Sequence, residues 1–282
     1  MTSMPYTNSE LSAVQRCERM HGLTYGRRLV PKAEPSPTAA TSLGTRYHEF
    51  CDRYYSGEDP DDLLRELESD DSSSGKYTFW TFKGYLDWLE VSGADADRET
   101  VAAEQAVTKK LGAYSVTGKI DLIQRDLVTG ELVLVDHKTT GMPPKRKATE
   151  LRTSDQGAHY SWLTGITRVE YRVIQRVAGG GSEWDVIPVE VVDMKLSPSR
   201  RAAFQAHLRH RVTQAGVNRD GGAGIRYAVD LIPTRAHDCS WICPFAEACI
   251  AAEDHPVILE ELLAESFAAG DPLARYADVE EF

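Results

Sequence analysis

The sequence predicts an α/β fold, a β-sheet flanked by helices, and three observations carry that reading. Residues before about 100 show helical spacing of apolar side chains, with aromatic residues prominent. Residues 117–140 form two β-branched, apolar runs separated by Asp126 and Thr129-Gly130, the pattern of a β-hairpin. A further helical stretch around Gln156 to Leu163 is followed by two more strand-like runs. At 282 residues the chain can bury a substantial core.

Asn8 or Ser9 is placed to cap a first helix through about His21, with Leu11, Val14 and Cys17 on one face. Cys17 is therefore expected late on that helix. Residues 31–37, P-K-A-E-P-S-P, are a proline-punctuated loop. Thr41 or Ser42 then caps a second helix, whose stripe is Tyr47, Phe50 and Tyr54 and on which Gly44 and His48 share a side. Residues 59–68 read as an acidic surface helix, 70–75 as a flexible loop, and 76–91 as a packed helix built on Phe79, Phe82, Leu86 and Leu89. Residues 101–110 begin the sheet. Beyond the hairpin, 141–147 is a basic loop containing Lys145, Arg146 and Lys147. Ser154 or Asp155 caps the helix of Gln156, Tyr160 and Leu163. Strands over 168–177 and 184–195 follow, joined at Gly179-Gly180-Gly181, then a helix from Ser197-Pro198 to about Ala215. A glycine-rich break at 221–224, a cysteine cluster, a helix near 257–267 and an acidic tail complete the chain.

The net charge of −11 argues against a protein that coats nucleic acid generally, while leaving room for a local basic channel. No apolar run nears the roughly 20 residues a membrane span needs, and the N-terminus has no basic-then-apolar leader, so a soluble, cytoplasmic protein without membrane contact is expected. The five cysteines are an odd number for a disulfide framework. Cys239, Cys243 and Cys249 crowd together, which in a reducing compartment points to metal before disulfide.

The hairpin holds the sharpest expectation. If its turn is centred between Val128 and Thr129, residues whose numbers sum to 257 face each other, so Asp121 opposes Asp136. Opposed side chains lie about 5 Å apart at Cβ, close enough for two carboxylates to share a hard cation. Lys138, two residues on, points to the same face as Asp136. Asp121, Asp136 and Lys138 thus sit at the end of a strand that reads as buried on both sides, where charge is costly unless neutralised. From spacing alone two readings stand: a divalent-metal site, or a hairpin end reaching solvent with an ordinary Asp–Lys pair.

Gly118-Lys119-Ile120-Asp121 followed by Val135-Asp136-His137-Lys138-Thr139 resembles the signature of the PD-(D/E)XK nuclease superfamily. The surrounding residues are similar to its RecB-like branch: Gly44-Thr45-Arg46-Tyr47-His48 before the core, Glu104 on the first strand, and Gln156-Gly157-Ala158-His159-Tyr160 on the following helix. Cys17 with Cys239, Cys243 and Cys249, one early and three late, resembles the iron–sulfur staple of AddB-type nucleases and of the Cas-four exonucleases of CRISPR adaptation. Three residues, not the usual two, separate Cys239 from Cys243, and by ligand type zinc suits four thiolates as well as a [4Fe–4S] cluster. Cys51 has no counterpart and reads as a core thiol.

The resemblance implies a restriction-endonuclease-like core with a mixed sheet, in a single nuclease domain over 1–282. Within it, 1–30 and 225–255 would form the iron–sulfur staple, 41–100 a helical insertion, 101–215 the catalytic sheet core and 268–282 an acidic tail. It implies Mg²⁺ or Mn²⁺ held by His48, Asp121, Asp136 and the carbonyl of His137, with Asp121, Asp136, Lys138, Gln156, Tyr160 and Glu104 as catalytic residues and Lys145, Arg146 and Lys147 gripping DNA. On the residues alone each also suits a plain role: His48 and Tyr160 as packing, Glu104 as a surface acid, the basic run as a solvated turn. The implied activity is a metal-dependent DNA exonuclease on single strands or ends, with recombination or CRISPR-adaptation proteins as partners in a bacterial or phage-infected cell. The alternative is a catalytically silent subunit that binds DNA ends.

Overall fold

Tyr47, Phe50 and Cys51, three and four residues apart on one helix, are all nearly sealed from solvent, and their stripe seats that helix on the core. The computed structural model describes residues 4–176, 187–224, 233–234, 239, 243–254 and 258–274. In chain order these form β1 (Tyr6–Thr7), α1 (Asn8–Arg16), α2 (Glu18–His21), a π-helical turn (Gly22–Gly26), β2 (Leu29–Pro31), α3 (Ala40–Tyr55), α4 (Pro60–Ser69) and α5 (Ser73–Ser92). They continue with β3 (Arg98–Leu111), β4 (Tyr114–Asp126), β5 (Leu132–Thr140), α6 (Pro144–Leu151), α7 (Gln156–Thr164), β6 (Arg168–Gln175) and β7 (Val189–Lys195). The last elements are α8 (Pro198–Gly224), α9 (Ala246–Asp254), α10 (Ile258–Ser266) and β8 (Phe267–Ala269). No helix among the described residues is long and apolar enough to cross a membrane.

The chain divides into two compact units, one of Pro35–Val107 and Lys119–Ala202, the other of Met1–Glu34, Thr108–Gly118 and Ala203–Phe282. In the first, β5 pairs antiparallel with β4 and parallel with β6, and β7 lies antiparallel outside β6. The β4–β5 register is the expected one: all four backbone pairs, from Leu122–Val135 to Arg125–Leu132, have numbers summing to 257. Period-two alternation sends Asp136 and Lys138 to one face of β5 and His137 to the other. α7 reaches the first face through Gln156, and α5 reaches the second through Tyr85. The outcome is the predicted α/β arrangement, a mixed sheet with helices against both faces. Tyr47, Phe50, Leu63, Leu67, Phe82 and Ile174 are sealed in the apolar cluster on the α3–α5 side.

In the other unit, β1 runs parallel to the start of β4, with Tyr6 beside Val116, and β2 pairs antiparallel with β8, joining early and late segments. Leu23, Phe245, Leu259 and Leu263 centre its core. A buried charge cluster adds to it. Arg219 forks onto Glu10, donates to the carbonyls of Met4 at 2.8 Å and Pro5 at 2.9 Å, and lies 4.1 Å over the Tyr6 ring.

Several local expectations change. The first helix stops at Arg16, because Cys17 is extended (φ −162°, ψ 120°) and its sulfur accepts the Met20 N–H, capping α2. Cys17 is thus a break between helices. Ser72 accepts the Gly75 N–H and caps α5, so Ser73, Ser74 and Gly75 open a helix that was expected to start at 76. Ala39, not Thr41 or Ser42, precedes α3. Lys145, Arg146 and Lys147 lie in the first turn of α6, started by Pro144, not in a loop. α8 continues through the glycines at 221–224. The turn at Gly179-Gly180-Gly181, Trp184, Trp241 and the tail beyond 274 fall outside the described residues.

Gly157 sets how closely α7 approaches the sheet. A Cβ there would lie 2.8 Å from the Tyr171 hydroxyl and 3.0 Å from Val169 Cγ1, both side chains anchored on β6. Gly157→Ala is therefore expected to lower unfolding stability by about 1–3 kcal/mol, read by urea denaturation. A midpoint unchanged from wild type would show that the helix can retreat without penalty.

Candidate active site

Backbone pairing between β4 and β5 ends at Leu122–Val135, and the next residue completes the ladder with its side chain: Asp121 Oδ2 accepts the His137 N–H at 2.8 Å. The same oxygen lies 3.3 Å from His48 Nδ1, delivered by α3. Glu104 arrives from β3 with φ of +46°, a left-handed conformation that a non-glycine residue adopts at some strain. His48, Glu104 and Asp121 each offer a ligand atom within 4.8 Å of the other two.

Asp136 stands outside that trio and faces α7. Gln156 Nε2 donates to its Oδ1 at 2.9 Å and also to the Tyr160 hydroxyl at 3.0 Å, as the four-residue spacing anticipates. Lys138 Nζ lies 2.5 Å from Asp136 Oδ2, an atom sealed from solvent that has no partner at hydrogen-bond geometry. Asp121 and Asp136 occupy the opposed positions just past the last backbone pair, yet each turns to its own partners.

Protonation follows from this crowding. Burial and then the Asp121 charge push the Asp136 carboxyl up to about 6, against the pull of Lys138. Burial also acts on Asp121, but the His48 imidazole beside it and Lys138 more than reverse the effect and hold that carboxyl well below the usual range. Burial pulls His48 down while Asp121 lifts it, and the net is upward. Glu104 is raised, first by burial, with Lys119 opposing. The donor set of His48, Glu104 and Asp121, one imidazole nitrogen and two carboxylates, fits a divalent cation of the Mg²⁺ or Mn²⁺ kind.

His137 contributes its main chain here. Its ring, on the opposite face, pairs through Nε2 with the Tyr85 hydroxyl at 2.8 Å and stacks on Tyr55. Of the basic run, Lys145 and Arg146 are exposed and Lys147 pairs with Glu150 at 3.0 Å. Cations in a first helical turn oppose the helix dipole, a placement that a bound anion would relieve.

Two features escaped the sequence reading. Lys119, directly before Ile120-Asp121, forms an ion pair with Glu104. Arg172, a fully buried cation on β6, is held by Glu170, Asp95 and two tyrosines. The second had a signal: opposite charges two residues apart, Glu170 and Arg172, inside an apolar strand.

Cys17, Cys239, Cys243 and Cys249 lie in the other unit, and these four and Cys51 are free thiols. Cys17 Sγ accepts the Thr234 N–H at 3.4 Å, and Cys239 Sγ donates to the Thr234 carbonyl at 3.8 Å. Cys243 and Cys249 pack against the Phe245 core. Burial pushes the Cys243 thiol up to about 11, and Cys249, Cys17 and Cys239 add to the shift. Cys17 and Cys239 thus meet at Thr234, but among the described residues no three of the four sulfurs lie within 4.8 Å of one another. Cys51 is a buried core thiol.

A cation that Asp136 helped to hold would have to displace its proton, so binding there is expected to weaken as pH falls below about 6. The Mn²⁺ dissociation constant, followed by electron paramagnetic resonance, is expected to rise at least about tenfold per pH unit there, and Asp136→Asn should make that limb shallower while the His48 proton still competes. A constant affinity from pH 5 to 7 would contradict the assignment.

Among curated proteins none matches the sequence. Among solved structures, an exonuclease candidate of Eubacterium rectale superposes with a TM-score of 0.53 at 12% identity, over 86% of this chain and 87% of that one. A phage-related exonuclease of Haemophilus somnus 129PT gives 0.33 at 14% identity, over 73% of this chain and 93% of its own. The alkaline exonuclease LHK-Exo of Laribacter hongkongensis gives 0.37 at 10%, over 77% and 90%. At such identities the likeness concerns fold alone. The family profile reaches further, spanning residues 5–250, and on that match the chain, with its restriction-endonuclease-like α/β core, belongs to the PD-(D/E)XK nuclease superfamily.

Proposed function

We propose that the chain is a metal-dependent deoxyribonuclease of the RecB-like branch, an exonuclease acting on single strands or DNA ends. The observation that carries the reading is the strand-end cluster, in which His48, Glu104 and Asp121 converge beside an Asp136–Lys138 pair held by Gln156. The description of the Eubacterium rectale neighbour is in keeping with exonuclease action.

Phosphodiester hydrolysis needs a nucleophilic water, neutralised charge on the phosphate and a supported leaving oxygen. A divalent cation held by His48, Glu104, Asp121 and Asp136 would supply charge neutralisation and lower the pKa of a water. Lys138 keeps an ammonium beside Asp136, where it orients the attacking water and offsets charge developing on the phosphate. Gln156 holds Asp136 Oδ1 and is itself fixed by Tyr160, so the carboxylate keeps one orientation as substrate enters. Lys145 and Arg146, exposed at the start of α6, are suited to the phosphate backbone.

The four thiolates' ligand type and the resemblance, one early and three late cysteines, are what support a second centre, a [4Fe–4S] cluster or a zinc ion bound by Cys17, Cys239, Cys243 and Cys249. Their donor type and free state suit either. Such a centre would add a covalent tie to the segments that β2 and β8 already join.

With end-labelled DNA and Mn²⁺ or Mg²⁺, wild-type protein should release nucleotides, and Lys138→Ala or Asp121→Ala should lower kcat at least about 100-fold. Undiminished cleavage by either variant would sink the site assignment; DNA binding with no metal-stimulated cleavage by wild type would favour the silent end-binding reading. For the cysteines, anaerobic purification should yield a brown protein whose visible absorbance vanishes in Cys243→Ala. A colourless protein with stoichiometric zinc would decide for zinc.

A further inference from the structure

Arg172 is fully buried in the middle of β6, and every direction of its guanidinium is used. Nε donates to Glu170 Oε1 at 2.7 Å, and Nη2 donates to Asp95 Oδ1 at 2.7 Å and Gln124 Oε1 at 3.2 Å. Nη1 donates to the hydroxyls of Tyr55 and Tyr85, both at 2.8 Å. Arg98 donates to the other oxygen of Glu170 at 3.1 Å, so two cations and two carboxylates balance. Burial raises both phenols, which remain neutral hydroxyls. Breaking such a network is expensive, because each removed partner strands a buried charge.

The network has an outlet. Tyr85, which receives Arg172, pairs with His137 Nε2 at 2.8 Å, and His137 and Arg172 are register neighbours across β5 and β6. The His137 ring is clasped by Tyr55 on one side and meets His48 edge-on with centroids 6.3 Å apart. The backbone N–H of that same residue holds Asp121 Oδ2. From Arg172 to the proposed metal carboxylate there are three consecutive links: guanidinium to Tyr85, Tyr85 to the His137 ring, and His137 N–H to Asp121.

We propose that Arg172 and Tyr85 are positioning residues for the metal site: by locking the His137 ring they set its peptide plane and so aim the Asp121 carboxylate. This rests on the metal-site reading given above. Groups that hold metal ligands from behind commonly change metal affinity ~10- to 100-fold when removed. The Tyr55 hydroxyl adds to the same anchor: it donates to Asp95 at 2.7 Å and lies 2.7 Å from the Tyr85 hydroxyl, tying the two phenols together behind His137.

The test uses full-length protein and Mn²⁺ as probe, with dissociation constants from paramagnetic resonance and kcat on end-labelled DNA at saturating Mn²⁺. Tyr85→Phe deletes one oxygen, and Tyr55→Phe is a second variant should the first fail to fold. Leu67→Ala, in the same apolar cluster but away from the network, controls for lost stability. The expected result is ~10-fold weaker Mn²⁺ binding in a tyrosine variant, kcat at saturation within about twofold of wild type, and unchanged affinity in Leu67→Ala. Wild-type affinity in the folded tyrosine variants overturns the inference, as does an equal loss in Leu67→Ala. Asp121→Ala separates the two levels: wild-type Mn²⁺ affinity there overturns the site reading and this inference with it. If that variant loses Mn²⁺ binding while the tyrosine variants keep it, only the inference falls.

Discussion

Asp121 occupies the position where backbone pairing between β4 and β5 gives out, and its carboxylate accepts the hydrogen bond that the next carbonyl of the ladder would have taken. One bond therefore completes the sheet and aims a charged group. Everything around it answers the resulting problem of buried charge. His48 faces the same oxygen, Lys138 neutralises the neighbouring Asp136, and Lys119 neutralises Glu104. A cluster with this many ionisable groups near a strand end is expensive unless an additional cation or substrate is part of the design.

The two faces of β5 divide the labour. Asp136 and Lys138 look toward α7, where Gln156 and Tyr160 hold the carboxylate. His137 looks toward α3 and α5, into a network that ends in the sealed guanidinium of Arg172. Rigid elements on both sides thus bear on three successive residues, which restrains the strand end against rotation. Such restraint is what a site needs if its geometry is to persist while ligands exchange.

The unit that carries the four cysteines shows a related economy. Its early and late segments are joined by the β2–β8 ladder, by Arg27 on Glu260 at 2.9 Å, and by Arg219 forked onto Glu10. Backbone pairing and ion pairs thus frame the segments on which Cys17 and Cys249 lie.

Local periodicity carried most of what was legible in the sequence. The alternation of apolar residues in 117–140, together with a two-sided turn signal, is enough to set the register in which Leu122 meets Val135, because a one-residue slip would turn every buried side chain outward. Four-residue helical spacing likewise put Gln156 and Tyr160 side by side. The order of the motifs pointed to the family, since order along the chain does not depend on the lengths of the loops between them, and the family match over residues 5–250 agrees.

Other features depended on neighbours remote in sequence. Cys17 leaves the helix because its own sulfur caps the next one, and the Thr234 N–H that reaches it lies more than two hundred residues away. Glu104 takes a left-handed backbone that no local preference favours, and its ion-pair partner Lys119 is on the adjoining strand. Arg172 is stable only because Asp95, Tyr55 and Tyr85 arrive from three remote segments to join Glu170 on its own strand. The sequence by itself thus determined the fold class, the hairpin register and the family, all of which rest on periodicity and motif spacing. Only the tertiary structure decided which charges compensate which, because compensation of a buried charge is set by distance in space and local dielectric, and neither is written in the order of the residues.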